Sequence, residues 1–508
     1  MSQNDILALL PLILVVVLAM AVIVVDMIVP GRDQLISALA VTGLAAIMVV
    51  VAVCGPLPAG IGLLPGAGHQ VFPDAVGAGV YVRDQMTTFL DLLFVFIALL
   101  SALFAVDYLK PRGLPMAEFT ATLLFAISGA MLLAGARDLL ILFLGLELLV
   151  LPGYMLAGYA KRDGLSTEGA VKYFLLGSFS SAILLFGLAL VLGYTGSTRV
   201  AGVAGVLADV AAGSTTLAPG LAMGLALLTT GVAFKIAAVP FHYWTPDAYQ
   251  GSPTPVTGYL SVGPKIAAFA LILRLFVEAL APLKADWVGA VIILAAVTMT
   301  LGNLVAIGQD NIKRMLGYSS IAHTGYMLVG LAAFAGAPAG SVAEQQGLEA
   351  LFFYVAVYAF MNLGAFACVS ALQRRPGVTS QIGSFAGLGR RAPLLGVAMT
   401  LFLLSLIGIP PTAGFFGKAY VILAAVNTGG WVAALAVLMM LNAAAAAFYY
   451  LRVVVYMYMR EAPDPAQGVP LGLFTRAGLI ISAVATALSL FVLTPFIDIV
   501  RGAAQALL

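Results

Sequence analysis

Hydrophobic residues follow one another along this chain in runs of about twenty or more, the length a helix needs to cross the hydrocarbon core of a bilayer. The runs predict fourteen transmembrane helices, over residues 6–29, 35–54, 86–108, 114–134, 139–159, 168–194, 217–243, 255–280, 287–308, 312–334, 348–372, 394–425, 431–459 and 477–500. The first follows Met-Ser-Gln-Asn-Asp, which lacks the basic start and short apolar core of a secretory signal, and it reads as a span. Glycine- and proline-rich linkers separate the runs. In the longest, 55–84, Pro56, Pro58, Pro65 and Pro73 exclude a further span. The predicted class is an all-α integral membrane protein without a separate soluble domain.

Composition agrees, with 62% hydrophobic and 9% charged residues, against about 25% charged in soluble domains. The net charge of +2 is dispersed, leaving no basic stripe for nucleic acid and no polybasic cluster for lipid headgroups. Cys54 and Cys368 lie far apart without CxxC spacing, which argues against a metal or iron-sulfur centre and makes both packing residues. His69 falls in the long linker with no second ligand near it and is expected in solvent. Gly60-Ile-Gly62 lacks the strand, helix and third glycine of a dinucleotide site.

Basic residues favour one set of loops. Those after odd-numbered spans hold Arg32, Lys110, Arg112, Lys161, Arg162, Lys313, Arg314, Arg374, Arg375, Arg390, Arg391, Arg460 and Arg476. Those after even-numbered spans, with the ends, hold Arg83, Arg137, Arg199, Lys284 and Arg501. By the positive-inside rule the odd loops are cytoplasmic and both termini are periplasmic.

Five ionisable residues, Glu147, Lys172, Lys235, Lys265 and Lys418, stand inside apolar runs. A lysine at the bilayer centre costs roughly 2.5–3.5 kcal/mol on insertion scales, so such groups face a bundle interior or a wet cavity and mark an ion or proton path. Lys172 lies about a turn inside the cytoplasmic end of its span, where it can snorkel or serve as an uptake relay. His242, and His323 within Ser319-Ser-Ile-Ala-His-Thr-Gly-Tyr326, can shuttle protons near neutral pH or simply pack. Thr257 and Ser261 stack on the face of Lys265 and have the chemistry to hold water. Arg274 and Glu278 have the spacing of a helix-face ion pair. Asp91 reads as an isolated interfacial acid, Arg452 is open, and Gly177-Ser-Phe-Ser-Ser181 reads as a close-packing stretch.

Proline interrupts two of the predicted spans beside a lysine. The seventh reads Phe234-Lys-Ile-Ala-Ala-Val-Pro-Phe-His242 and the twelfth Leu406-Ile-Gly-Ile-Pro-Pro-Thr-Ala-Gly-Phe-Phe-Gly-Lys418. A proline removes a backbone donor and clashes with the preceding turn, so each helix should break there. The broken spans are an odd number apart and cross in opposite directions, the pattern of an inverted repeat with ion sites at its discontinuities. The predicted organisation is three leading helices in 1–112, a five-helix repeat in 113–283, an inverted five-helix repeat in 284–460 and a final helix in 461–508.

Leu144-Gly-Leu-Glu147-Leu-Leu, Val171-Lys-Tyr-Phe-Leu-Leu-Gly-Ser-Phe-Ser-Ser181, Phe234-Lys-Ile-Ala-Ala-Val-Pro-Phe-His-Tyr-Trp-Thr-Pro-Asp247, Gly263-Pro-Lys265 and Gly414-Phe-Phe-Gly-Lys418 resemble, in this order, the antiporter-like subunits of respiratory complex I. The N branch of the bacterial NADH:quinone oxidoreductase is the nearest likeness. Lys418 stands where the M branch typically has glutamate, the chain stops about eight residues after the last span without the lateral helix of the L branch, and the wording around Lys172 is N-like.

The resemblance implies a proton relay in which Glu147 pairs with Lys235, Lys265 is the central station and Lys418 the terminal one. In a low-dielectric span a carboxylate and an ammonium hold each other charged, so such a pair is a switch. Two ammonium groups about 7 Å apart at an effective dielectric near 20 repel by roughly 2.4 kcal/mol, which lets protonation of one expel a proton from the next. The resemblance also implies no cofactor in this chain, with NADH, FMN, iron-sulfur clusters and quinone in partner subunits. The implied partners are an antiporter-like M subunit, small K, J and A subunits, and lipids of the bacterial inner membrane. Two other readings stay open: a stand-alone cation/proton antiporter of the same fold, and a scaffold whose buried charges only register helices.

Overall fold

A computed structural model of the chain describes residues 2–54, 68–73, 77, 79–213, 217–374, 378–462, 469, 471–487 and 493–508. The Cys54 side chain, Pro56, Pro58, Pro65, Gly60-Ile-Gly62 and Arg375 lie outside the described residues. Helices α1 (Gln3–Ile28) and α2 (Asp33–Cys54) lead to a small antiparallel hairpin of β1 (His69–Val71) and β2 (Tyr81–Arg83). Next come α3 (Gln85–Leu109), α4 (Met116–Gly135), α5 (Leu139–Ala157), α6 (Gly164–Thr195), α7 (Val200–Gly213), α8 (Pro219–Lys235), α9 (Trp244–Gly251) and α10 (Thr254–Ile272). A π-helical turn, Leu273–Ala279, extends α10. The rest is α11 (Lys284–Ile307), α12 (Ile312–Gly336), α13 (Val342–Leu372), α14 (Leu388–Arg391), α15 (Pro393–Ile407), α16 (Ala413–Thr428), α17 (Gly430–Met459), α18 (Leu473–Ala487) and α19 (Leu493–Gln505). Among the described residues ten helical segments are long and apolar enough to cross a membrane.

Short polar side chains start the long helices. Asp84, Asp138, Asp163, Asn311 and Ser341 each accept a backbone N–H of the first turn of α3, α5, α6, α12 and α13, satisfying donors the helix itself leaves open. Between apolar helices in lipid, contact comes from close packing rather than from water exclusion, and small residues permit it. A Cβ on Gly129 would fall 2.4 Å from the Leu149 nitrogen, so α4 and α5 touch backbone to backbone. The same holds where Gly302 and Gly325 join α11 to α12 and where Gly347 joins α13 to α12. Helix α10 is enclosed on every side and α13 almost so, whereas α1, α2 and α17 turn residues such as Met27 and Trp431 outward.

The loops sort to two ends of the bundle. At one, Tyr81 bridges Ala136, Asp138 bridges Arg199, Arg137 pairs with Glu278 at 3.0 Å and Lys284 with Glu344 at 2.9 Å. Both termini join this end, through Asp5 with His69 at 3.1 Å and Arg501 with Glu349 at 3.4 Å. At the other end Asn311 bridges Gln381, Arg112 donates to the Gln373 carbonyl at 2.6 Å, and Arg452 donates to the Gln309 carbonyl. One arrangement occurs once at each end. Leu139 N donates to Thr198 O at 2.8 Å beside the capping Asp138, and Ile312 N donates to Ser380 O at 2.7 Å beside the capping Asn311.

Several expectations need correction. The stretch expected as a loop after the sixth span contains α7, whose apolar face packs on the π-helical turn. Helix α6 begins at Gly164 under the Asp163 cap, which puts Lys172 two turns inside rather than one. His69 is half-buried in β1 against Asp5 instead of free in solvent. Asp91 is fully buried and ion-paired with the equally buried Arg83, because β2 folds back over the start of α3. Arg274 does pair with Glu278, at 2.5 Å, and also holds Asp84 at 2.8 Å, Thr87 Oγ1 and the Ala134 carbonyl. Cys368 is buried and free.

Candidate functional site

Both interrupted spans break where proline stands. Helix α8 ends on Lys235 and α9 resumes at Trp244, with Pro240 between; α15 ends at Ile407 and α16 resumes at Ala413, with Pro410 and Pro411 between. Each break frees backbone carbonyls inside the bundle, and a lysine answers at one of them. Lys418 Nζ donates to the carbonyls of Leu406 at 3.0 Å and Ile407 at 2.7 Å, the open C-terminal end of α15, where the helix dipole favours a cation. Its stem lies against Gly408, where a Cβ would sit 2.9 Å from Lys418 Cδ and where φ is +90°.

Lys235 is buried, and its Nζ donates to Ser181 Oγ at 2.8 Å and Gly177 O at 3.3 Å on α6. The Gly177–Ser181 stretch expected only to pack is thus also the Lys235 binding surface. Gly177 does pack closely, since a Cβ there would meet Tyr154 Oη at 2.1 Å. Glu147, half-buried on α5, is not within ion-pair distance of Lys235, and its Oε1 is buried without a hydrogen-bond partner. A cavity of about 10 Å³, room for about one water, lies beside Lys235, lined by Leu146, Tyr154, Tyr173, Trp244 and Pro264, among others.

Lys265 is 2% exposed on the enclosed α10, and Ser320 of α12 supplies both its acceptors, Oγ at 2.5 Å and the carbonyl at 2.7 Å. Thr257 and Ser261 do not bind the ammonium directly. Thr257 Oγ1 donates to the Tyr249 carbonyl at 2.9 Å, and Ser261 Oγ donates to the Gly258 carbonyl while accepting from Asn362. Among the described residues Lys235, Lys265 and Lys418 have no carboxylate within 4.0 Å.

Helix α12 reaches the surroundings of all three lysines. Thr324 Oγ1 donates to the carbonyl of Ile236, next to Lys235, at 3.0 Å and to the Ser320 carbonyl at 3.1 Å. His323 is 1% exposed, with Nδ1 2.7 Å from Tyr354 Oη and Nε2 3.3 Å from Tyr450 Oη, which itself bonds Ser319. Its ring lies 5.3 Å from that of Tyr326, over which Lys418 Nζ sits at 5.0 Å. His323 is thus three residues from Ser320, which holds Lys265, and lies against Tyr326, over which Lys418 sits.

His242 and Lys172 occupy different surroundings. His242 is buried in the first break, its ring stacked on Tyr243 and its Nδ1 without a partner. Lys172 is half-buried and ion-paired with Glu168 at 2.6 Å and Asp247 at 2.7 Å, and Asp247 also holds Arg314 at 2.6 Å. Asp247 went unassigned in the sequence reading, although it stands as far beyond Pro240 as Lys418 does beyond Pro411. Ser320 and Thr324 were visible only as hydroxyls flanking His323; Tyr354 and Tyr450 gave no signal, because helices remote in sequence bring them there. Among the described residues no group of three or more His, Cys, Asp or Glu side chains could hold a metal ion.

The family described as NADH:quinone oxidoreductase/Mrp antiporter, TM, matches residues 136–442. NADH-quinone oxidoreductase subunit N of Trichlorobacter lovleyi is 41% identical over 457 residues, 89% of this chain and 88% of that one. A chain of respiratory complex I from Thermus thermophilus, solved with bound aureothin, superposes with a TM-score of 0.73 at 31% identity over 95% of this chain and 97% of its own. A chain of the Mrp complex from Dietzia sp. shares the fold, with a TM-score of 0.81 at 22% identity over 100% of this chain and 98% of its own. This chain belongs to the NADH-quinone oxidoreductase subunit N family, within the NADH:quinone oxidoreductase/Mrp antiporter membrane proteins.

Proposed function

We propose that this chain translocates protons in the membrane arm of an NADH:quinone oxidoreductase, through Glu147, Lys235, Lys265 and Lys418, while NADH, FMN, iron-sulfur and quinone chemistry takes place in partner subunits. The observation that carries this reading is the set of buried polar groups along α12: Thr324 bonds the Ile236 carbonyl next to Lys235, Ser320 holds Lys265, and His323 lies against Tyr326, over which Lys418 sits. Buried ammonium groups resting on neutral oxygens hold their charge less firmly than ion-paired ones, which suits groups that must give protons up. Glu147, with one unsatisfied oxygen on a helix whose Leu144, Leu148 and Leu151 face outward, is placed to feel charge arriving from a neighbouring subunit.

On this reading 113–283 and 284–460 are two inverted five-helix units, between the leading helices of 1–112 and the final helix of 461–508. Three pairs of features support it: the two proline breaks, the glycine crossings α4–α5 and α11–α12, and the twin loop bridges at opposite ends. The end rich in basic loops is then cytoplasmic and the end that holds both termini periplasmic, in a bacterial inner membrane. The outward apolar faces would meet an M-type subunit, the small K, J and A subunits, and lipid.

The test is Lys265→Met in the assembled complex, reconstituted in liposomes, with quinone reduction and lumenal acidification read together. Acidification should collapse while the complex stays intact; full pumping by an intact variant would overturn the relay. Sodium or potassium exchange for protons by the purified chain alone would instead favour an autonomous antiporter.

A further inference from the structure

Lys313 lies outside this relay and opens onto a large polar vestibule. The vestibule, about 890 Å³, sits at the end of the bundle rich in basic loops and is lined by Arg112, Lys161, Arg162, Asp163, Gln373 and Lys313, among others. Lys313 itself is only 4% exposed, with its stem buried in the floor and its Nζ donating to the carbonyls of Gln250, at 2.8 Å, and Ser252. Among the described residues no carboxylate lies within 4.0 Å of it.

Two polar stripes climb from this floor to Lys265. On α10, Thr257, Ser261 and Lys265 follow one another at four-residue steps and share a face. On α12, Lys313, Gly317 and Ser320 follow at steps of four and three and share a face over two turns, a rise of about 10 Å. The stripes meet at both ends. Below, the Ser252 carbonyl accepts from Lys313 Nζ and, at 3.3 Å, from Thr257 Oγ1; above, Ser320 holds Lys265 Nζ. Between them Gly317 presents no side chain, only its Cα against the ring edge of Tyr249. We infer that Lys313 is the proton-loading residue of this chain: it takes protons from solvent in the vestibule and passes them along the α10–α12 seam to Lys265. This rests on the relay proposed above.

The bland alternative is that Lys313 only caps the C-terminal carbonyls of α9, and the choice of side chain separates the two. Arginine keeps a permanent cation and several donors but does not release a proton at working pH. In the complete complex, Lys313→Arg, Lys313→Cys and Lys265→Met are compared for acidification per NADH oxidised. Lys313→Arg and Lys313→Cys should fall to the Lys265→Met level. Aminoethylation of the assembled Lys313→Cys complex, which rebuilds a lysine-like amine, should restore pumping, with the unmodified complex treated in parallel as control. Normal pumping by intact Lys313→Arg or by unalkylated Lys313→Cys overturns the inference, and so does failure of aminoethylation to restore any of it. If Lys265→Met pumps normally, the relay itself is wrong, which is a separate outcome.

Discussion

Replacing Ser320 by alanine tests the centre of the relay with one atom. Lys265 Nζ has two acceptors, both from Ser320, and the substitution removes the hydroxyl at 2.5 Å while leaving the carbonyl at 2.7 Å. A hydrogen bond to a charged group contributes about 1.5–3 kcal/mol net, and roughly 1.4 kcal/mol is tenfold in rate. Holding a proton on Lys265 therefore becomes harder, and transfer through it should slow by about ten- to 150-fold. The fold should survive, since Ser320 is fully buried mid-helix and alanine is the better helix former. The assay is initial acidification against quinone reduction in liposomes, with complex yield measured by native gel. Ser320→Thr, which keeps the hydroxyl, serves as the control. Normal acidification by Ser320→Ala would refute the reasoning, as would an equal loss in Ser320→Thr with the complex intact.

Three further outcomes follow from other contacts. Arg274→Met leaves the buried Asp84 without its cation, while Glu278 keeps Arg137; breaking a buried pair from one side costs about 3–5 kcal/mol, so the complex should lose thermal stability or yield, read by a melting curve. Gly177→Ala puts a methyl 2.1 Å from Tyr154 Oη, an overpacking worth about 1–3 kcal/mol; because that hydroxyl has no partner, adding Tyr154→Phe should recover part of the loss. Asp247→Asn removes the anion shared by Lys172 and Arg314; pumping should fall more than stability does, and an unchanged pumping rate would make the cluster a surface tie alone.

Much of the bundle was legible before any coordinates. Each apolar run had to become a helix, because a backbone in hydrocarbon must satisfy its own hydrogen bonds, and the runs at α3 to α6 and α10 to α13 appear nearly as drawn. The breaks at Pro240 and at Pro410-Pro411 were equally readable, since a missing N–H is written in the residue itself. So was the cost of Lys235, Lys265 and Lys418, which singled them out as candidates whatever surrounded them.

What surrounds them was decided by tertiary structure. Thr257 and Ser261 shared the Lys265 face in sequence, yet the ammonium turned to Ser320 on another helix, while Thr257 donates to the Tyr249 carbonyl on α9 and Ser261 to the Gly258 carbonyl on its own helix. Glu147 stands apart from Lys235, Asp91 found Arg83, and α7 folded where a loop was expected. Helix periodicity is a local property, set by neighbours within a turn or two. The partner of a buried charge is chosen among elements that only the tertiary fold brings together, by whichever packing leaves the fewest polar atoms alone.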